Sequence, residues 1–224
     1  KKRLTYGQFW NLSDKQKRRQ AAWLVVYGLQ PKCVHLATPC TDMCVVGAGV
    51  NTDENEALVV FSKQVAVHQD DHGLLASVEN PLSSGLTKRE DWKGTFGVRE
   101  APREPWRYYV SDGCQLGLAY LGPDDMYRPL RKSQEWMANF DLSPLALRCR
   151  HPVLALAGCS HEHHICRGRM EIESGRKVNL SEFSGCYTPE QGALYAQCLQ
   201  EALPRVDRAL PEDIHRPLIV HPAG

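Results

Sequence analysis

The feature that most constrains this chain is the stretch from Cys159 to Cys166, which holds Cys159, His161, His163, His164 and Cys166. Thiolate and neutral imidazole are the preferred donors of a borderline-soft cation such as Zn²⁺, and ordinary packing does not concentrate them in eight positions. A fold carrying this stretch is expected to bend around a metal. A tetrahedral site needs four ligands. The short span supplies two or three, and Cys149 upstream or Cys186 downstream completes the set. Cys186 is favoured by Ser184 and Gly185, which let the backbone turn inward. His163 and His164 are adjacent and point in different directions, so at most one of them ligates. The expected ligands are therefore drawn from Cys149, Cys159, His161, His164, Cys166 and Cys186.

A second candidate lies 126 residues upstream. Cys33, His35 and Cys40 repeat the C-x-H-x4-C spacing of Cys159, His161 and Cys166, and Cys44 follows. These four residues make a possible second zinc site, weighed against buried free thiols. The chain has nine cysteines, an odd number interspersed with histidine. That pattern points to metal in a reducing compartment, cytoplasmic or nuclear, rather than a disulfide scaffold. Structural zinc is the only cofactor expected.

Catalytic arrangements are incomplete. The metalloprotease pattern H-E-x-x-H starts at His161 and Glu162, but Ile165 stands where the second histidine belongs. Pro39, Cys40 and Cys44 miss the spacing of a zinc deaminase. Gly47 and Gly49 resemble a dinucleotide loop, but Thr52 replaces the third glycine and Asp53, Glu54 and Glu56 would repel a pyrophosphate. A His-metal-finger nuclease would use His161, His163 or His164 as base and Asn179 as metal holder. No helix pattern follows Asn179 closely, so the chain reads as no enzyme.

Bulk properties narrow the partners. Formal net charge is +1 and charged residues make up 24%, which argues against a surface built wholly for nucleic acid. DNA binding through Arg18, Arg19, Lys88, Arg89, Arg167 and Arg169 remains the second choice behind a protein partner. No run of eighteen apolar residues exists, so no membrane-spanning helix is expected.

The patterning predicts an α+β protein, with antiparallel β-hairpins, a helix near each end and a zinc brace. Ser13 is placed to cap a first helix, with Gln16 at the capping-box position; Gly28 and Pro31 end it. Ala57 to Val67 reads as a strand, as does Leu74 to Val78. Aromatic runs on either side of Asp112 and Gly113 predict a hairpin, residues 169–180 a second one, and Ser133 to Phe140 a short helix. Pro189 opens a last helix that stops at Pro204. The chain is read as one domain, 1–224. Its alternative organisation is two lobes, 1–78 and 106–210, joined by a loop-rich segment, 79–105.

The stretch from Trp10 through Asp14 into Ala22–Leu29, together with the Cys159–Cys166 cluster, resembles the foamy-virus accessory proteins of the Bet and Tas type. The resemblance implies a viral accessory protein. As with Bet, it would bind host cytidine deaminases of the APOBEC type and antagonise that restriction factor without enzymatic activity; as with Tas, it would bind DNA as a transcriptional activator. The near-neutral charge favours the first. The expectation is a non-enzymatic, zinc-stabilised protein-binding adaptor.

Overall fold

The computed structural model describes residues 11–38, 53–121, 127–150, 163, 169–171, 177–179 and 187–209. Helix and sheet are mixed, as an α+β chain requires. Helix α1 (Lys15–Trp23) opens at Asp14, whose carboxylate accepts hydrogen bonds from the backbone N–H of Gln16 (2.6 Å) and Lys17 (3.2 Å). Asp14 therefore caps in place of the expected Ser13, and a charged cap also complements the positive helix end. The helix widens into a π turn over Leu24–Gly28, closed by Leu29 N–H on the Leu24 carbonyl.

Strand β1 (Cys33–Ala37) leads to α2 (Asp53–Asp71) and on to β2 (Leu75–Pro81), which pairs parallel with β1. The expected strand at 57–67 is thus a helix. Its run of Val59, Val60 and Phe61 imitates a strand, but the buried positions Val59, Ser62, Val65, Ala66 and Gln69 recur at helical spacing. Asp53, Glu54 and Glu56 fill the first turn, where the helix dipole favours negative charge.

The segment after β2 is not a bare loop. It forms a 3₁₀ turn (Leu86–Lys88), helix α3 (Glu90–Phe96) and a two-stranded ribbon, β3 (Gly97–Val98) with β4 (Ala101–Pro102). Leu86, Trp92, Phe96 and Trp106 are each at most 1% exposed, which fixes this segment in the core. Arg89 joins α3 to α2 by a two-pronged bond to Glu56, 2.7 Å on each arm, and bonds Asp91 at 2.9 Å.

Strand β5 (Arg107–Asp112) runs into a 3₁₀ turn (Gly113–Leu116). A short ribbon follows, β6 (Ala119–Leu121) with β7 (Tyr127–Pro129), and then β8 (Ser133–Ala138). Two expectations fail here. The partner of β5 is β8, across residues 107–112, and not the segment beyond Gly113. And β8 is a strand, although Gln134, Glu135, Met137 and Ala138 are good helix formers. Both its faces are covered, and burial outweighs a propensity worth tenths of a kcal/mol per residue.

A 3₁₀ turn (Ser143–Leu145) follows. Strands β9 (Arg169–Glu171) and β10 (Lys177–Asn179) form the expected antiparallel pair. The last helix, α4 (Pro189–Ala209), is capped by Thr188, whose hydroxyl oxygen accepts from Gln191 N–H at 3.1 Å. It continues through Pro204 to Ala209, because Ala202 and Val206 are buried against the core and hold the last turns down. No described helix is long and apolar enough to cross a membrane.

The main sheet has the order β1-β2-β8-β5, parallel at β1/β2 and antiparallel elsewhere. Strands from before and after residues 79–105 therefore share one sheet. Side chains alternate between two cores. Leu75, Trp136 and Ala138 face α4 with Phe140, Leu145, Cys198 and Ala202. Ala76, Val78 and Met137 face α2 and α3 with Val59, Trp92, Phe96 and Trp106.

One glycine in the ribbon is obligatory. Gly97 has φ +79°, and a Cβ there would lie 2.4 Å from the Arg103 nitrogen and 2.6 Å from the Ala101 oxygen, both backbone. Gly97→Ala is expected to cost about 2 kcal/mol through left-handed strain and that clash, read as a lower urea midpoint at unchanged slope.

Candidate metal centre

Three donors meet where β5 ends. Cys114 sits in the 3₁₀ turn directly after β5, Cys149 follows the Ser143–Leu145 turn, and His163 approaches both. His163 Nε2 is 3.2 Å from Cys114 Sγ and 3.3 Å from Cys149 Sγ. The three ligand atoms lie within 4.8 Å of one another. Tetrahedral zinc with Zn–S of about 2.3 Å and Zn–N of about 2.1 Å sets its donors roughly 3.5 Å apart. Two thiols and an imidazole at this spacing can hold a metal ion of that class.

The backbone around the site is tightly placed. Asp112, the last residue of β5, is 0% exposed. Its carboxylate accepts from Cys149 N–H (2.8 Å), Arg148 Nε (3.1 Å) and the Ser133 hydroxyl. Asp112 N–H in turn donates to the Leu147 carbonyl at 2.8 Å, and Gly113 N–H to the Lys132 carbonyl at 2.9 Å. One carboxylate thus holds the Cys149 segment against the Cys114 turn. Burial opposes its ionisation, but the donors from Ser133, Cys149 and Arg148 outweigh that and hold its carboxyl below the usual range. Burial, with Cys149 adjacent, pushes the Cys114 thiol up to about 12. Metal binding must displace that proton, so affinity is expected to fall in acid. Asp112→Asn keeps the shape but removes the charge that orients Cys149. It is expected to lower stability by about 2 kcal/mol and to weaken metal retention roughly tenfold, measured by competition with a chromogenic chelator.

Of the ligands expected from sequence, Cys149 lies in this group. Cys159, His161, His164, Cys166 and Cys186 lie outside the described residues. Cys114 was not expected: it stands alone, without a cysteine or histidine at ligand spacing, and only the β5–β8 pairing carries it to Cys149. His163, set aside in favour of its neighbour, supplies the nitrogen.

The upstream candidates take part in something else. Cys40 and Cys44 lie outside the described residues. Cys33 and His35 alternate onto the α4 face of β1, within a partly buried polar chain. His35 Nδ1 is 2.8 Å from Ser77 Oγ, and its Nε2 is 2.9 Å from the Tyr187 hydroxyl. Tyr187 donates to Glu79 at 3.1 Å, and Tyr195 joins Ser77 (2.8 Å) to the Cys33 thiol (3.7 Å). Glu79 also accepts from Gln134 (2.9 Å), which accepts from Gln191 of α4 (2.8 Å). With Glu79 ionised, the order of donors follows from it. Tyr187 gives its proton to the carboxylate and accepts from His35 Nε2–H, leaving Nδ1 to accept from Ser77. Trp136 covers the imidazole face, with ring centroids 5.6 Å apart. Burial drives the His35 pKa down to about 4 and raises that of the Glu79 carboxyl. This arrangement clamps α4 to the sheet; both ring nitrogens of His35 point at hydroxyls.

The residues for the alternative activities are placed as follows. Arg89 is held by Glu56 and Asp91, and Arg18 donates to the carbonyls of Leu12 (2.8 Å) and Ser13 (2.7 Å). Asn179 ends strand β10 rather than standing on a helix. No protein-family model, no curated protein and no solved structure matches this chain.

Proposed function

We propose that this chain is a zinc-braced, non-enzymatic protein-binding module. The observation that carries it is the Cys114, Cys149 and His163 group at the end of β5. The carboxylate that holds the Cys149 segment, Asp112, spends its lone pairs on Ser133, Arg148 and the Cys149 backbone. A general base aimed at a metal-bound water is therefore not what Asp112 supplies, and a bracing role fits best.

A recognition surface is supported by α1 and its π turn. Trp23, Tyr27 and Leu29 are 46%, 51% and 74% exposed. Lys15, Lys17, Arg18 and Arg19 lie on the same segment, and no acidic residue occurs from 15 to 29. Large apolar groups beside unbalanced positive charge suit a protein partner with an acidic, apolar-studded face. A host cytidine deaminase, the partner class implied by the foamy-virus resemblance, is the first to test.

Two measurements decide the reading. Elemental analysis of protein purified without added metal is expected to give one zinc per chain. Excess chelator is expected to lower Tm by roughly 10 °C, since a structural zinc contributes several kcal/mol and each kcal/mol moves a chain of this size by roughly 2–4 °C. Protein free of zinc, with an unchanged melting curve in chelator, removes the brace. Binding to the deaminase that is unaffected by Trp23→Ala with Tyr27→Ala removes α1 as the surface. A shift of short DNA at low salt, lost on adding 200 mM salt, would favour the DNA-binding alternative.

A further inference from the structure

Helix α2 ends on a second set of nitrogen donors, far in sequence from the cysteine group. His68 and His72 are four residues apart, so they share one face of the helix end. Their ring centroids are 4.2 Å apart, tilted by 40°. His72 is exposed and His68 is half-buried, which leaves the pair open to solvent on one side.

The tautomer of His72 is set by the backbone. Its Nδ1 lies 2.8 Å from the carbonyl oxygen of His68. A carbonyl only accepts, so Nδ1 carries the hydrogen and the lone pair of the neutral ring sits on Nε2. Metal-ligating histidines characteristically donate their other N–H to a carbonyl or carboxylate, which fixes the ring and makes the free nitrogen more basic. The backbone N–H of His72 bonds to the same carbonyl at 3.3 Å, so main chain and ring are held together at that point. Asp71, exposed between the two histidines, supplies negative charge beside them.

We propose that His68 and His72 form a solvent-facing site for a borderline divalent transition ion of the Cu²⁺, Ni²⁺ or Zn²⁺ class. Two imidazoles at i and i+4, one in the last turn of α2 and one just past it, chelate from one side, and water fills the remaining positions. Nitrogen donors disfavour Mg²⁺ and Ca²⁺, which take oxygen. The site differs from the cysteine group in chemistry. It has no thiolate, it is exposed, and its occupancy follows the divalent series, with Cu²⁺ bound more tightly than Ni²⁺ or Zn²⁺. The proposal does not depend on the zinc brace.

The test uses the full chain, incubated with one equivalent of Zn²⁺ and desalted, then titrated calorimetrically with NiCl₂ and separately with CuCl₂. The wild type is expected to take up one further equivalent of either ion. His72→Gln and His68→Gln are each expected to weaken that uptake tenfold or more, and the bound Cu²⁺ is expected to show coupling to two nitrogens by electron paramagnetic resonance. His72 is exposed, so its variant keeps the fold and suffices if His68→Gln does not. Uptake unchanged in His72→Gln overturns the proposal, because other histidines then hold the ion. A wild type that takes up no further ion overturns it equally.

Discussion

Replacing Cys149 by serine is expected to strip the chain of its metal and lower its melting temperature by roughly 10 °C. The hydroxyl is nearly the size of the thiol but does not ionise near neutral pH, so one ligand is lost with little change in packing. Cys114→Ser is expected to give the same result, although Cys114 stands far from the other donors in sequence. The double variant is expected to fall no further than either single variant, since the same ion cannot be lost twice. That non-additivity separates a metal brace from two independently buried thiols, whose losses would add. Wild-type protein in chelator should melt where the variants do. A Cys149→Ser chain that keeps both its zinc and its melting temperature would sink the brace.

Acidification is the second large effect. His35 is held neutral, with its pKa near 4 against 6.5 when unburied. The unfolded chain therefore takes up a proton as pH falls through 6.5, while the folded chain resists until about 4. His35 contributes stability that is fully present above 6.5 and lost progressively between 6.5 and 4. The total is on the order of 3 kcal/mol, at about 1.4 kcal/mol per pH unit. Glu79 acts in the opposite sense. Its raised carboxyl contributes stability below its usual value of 4.5, and that contribution declines as pH rises through the folded value. Asp91, Asp112 and Asp141 are held below 3.8, so their contributions disappear at lower pH than that of His35. The measurement is the urea stability of wild type and His35→Gln from pH 7.5 to 4. The wild-type curve is expected to fall toward the variant's across that window. Two parallel curves would mean that His35 titrates normally.

The sequence draws attention to a metal site but gives no sign of Cys114, one of the three donors that the fold brings together. Clustered histidine and cysteine drew attention to residues 159–166, of which His163 is described and joins Cys114 and Cys149. Cys114 carries no local signal. Its role depends on β5 pairing with β8, which places residue 112 beside residues 133 and 149. The same limit explains the misread elements. Val59 to Phe61 has the composition of a strand, and only the longer stripe down to Gln69 shows the helix. Gln134 to Ala138 has the composition of a helix, and becomes a strand because cores form on both sides of it. Local composition located α1, the start of α4 and the β9–β10 pair, but Asp14 rather than Ser13 caps α1 and α4 runs past Pro204. Histidine at position 35 was visible as a metal donor, but its hydroxyl partners come from β2 and from the start of α4.

The Thr188 hydroxyl, which accepts from Gln191 and caps α4, donates its own hydrogen to the Leu116 carbonyl. Leu116 ends the turn that begins beside Cys114. The anchor of α4 and the sulfur of the metal centre therefore belong to the same four-residue turn. Whatever loosens that turn also frees the first residue of the helix, and the helix carries Gln191 and Tyr195 into the polar chain over the sheet. An ion held by Cys114 would in effect be a remote latch on α4. Amide exchange along residues 189–199 should quicken when the metal is withdrawn, well before the sheet itself opens.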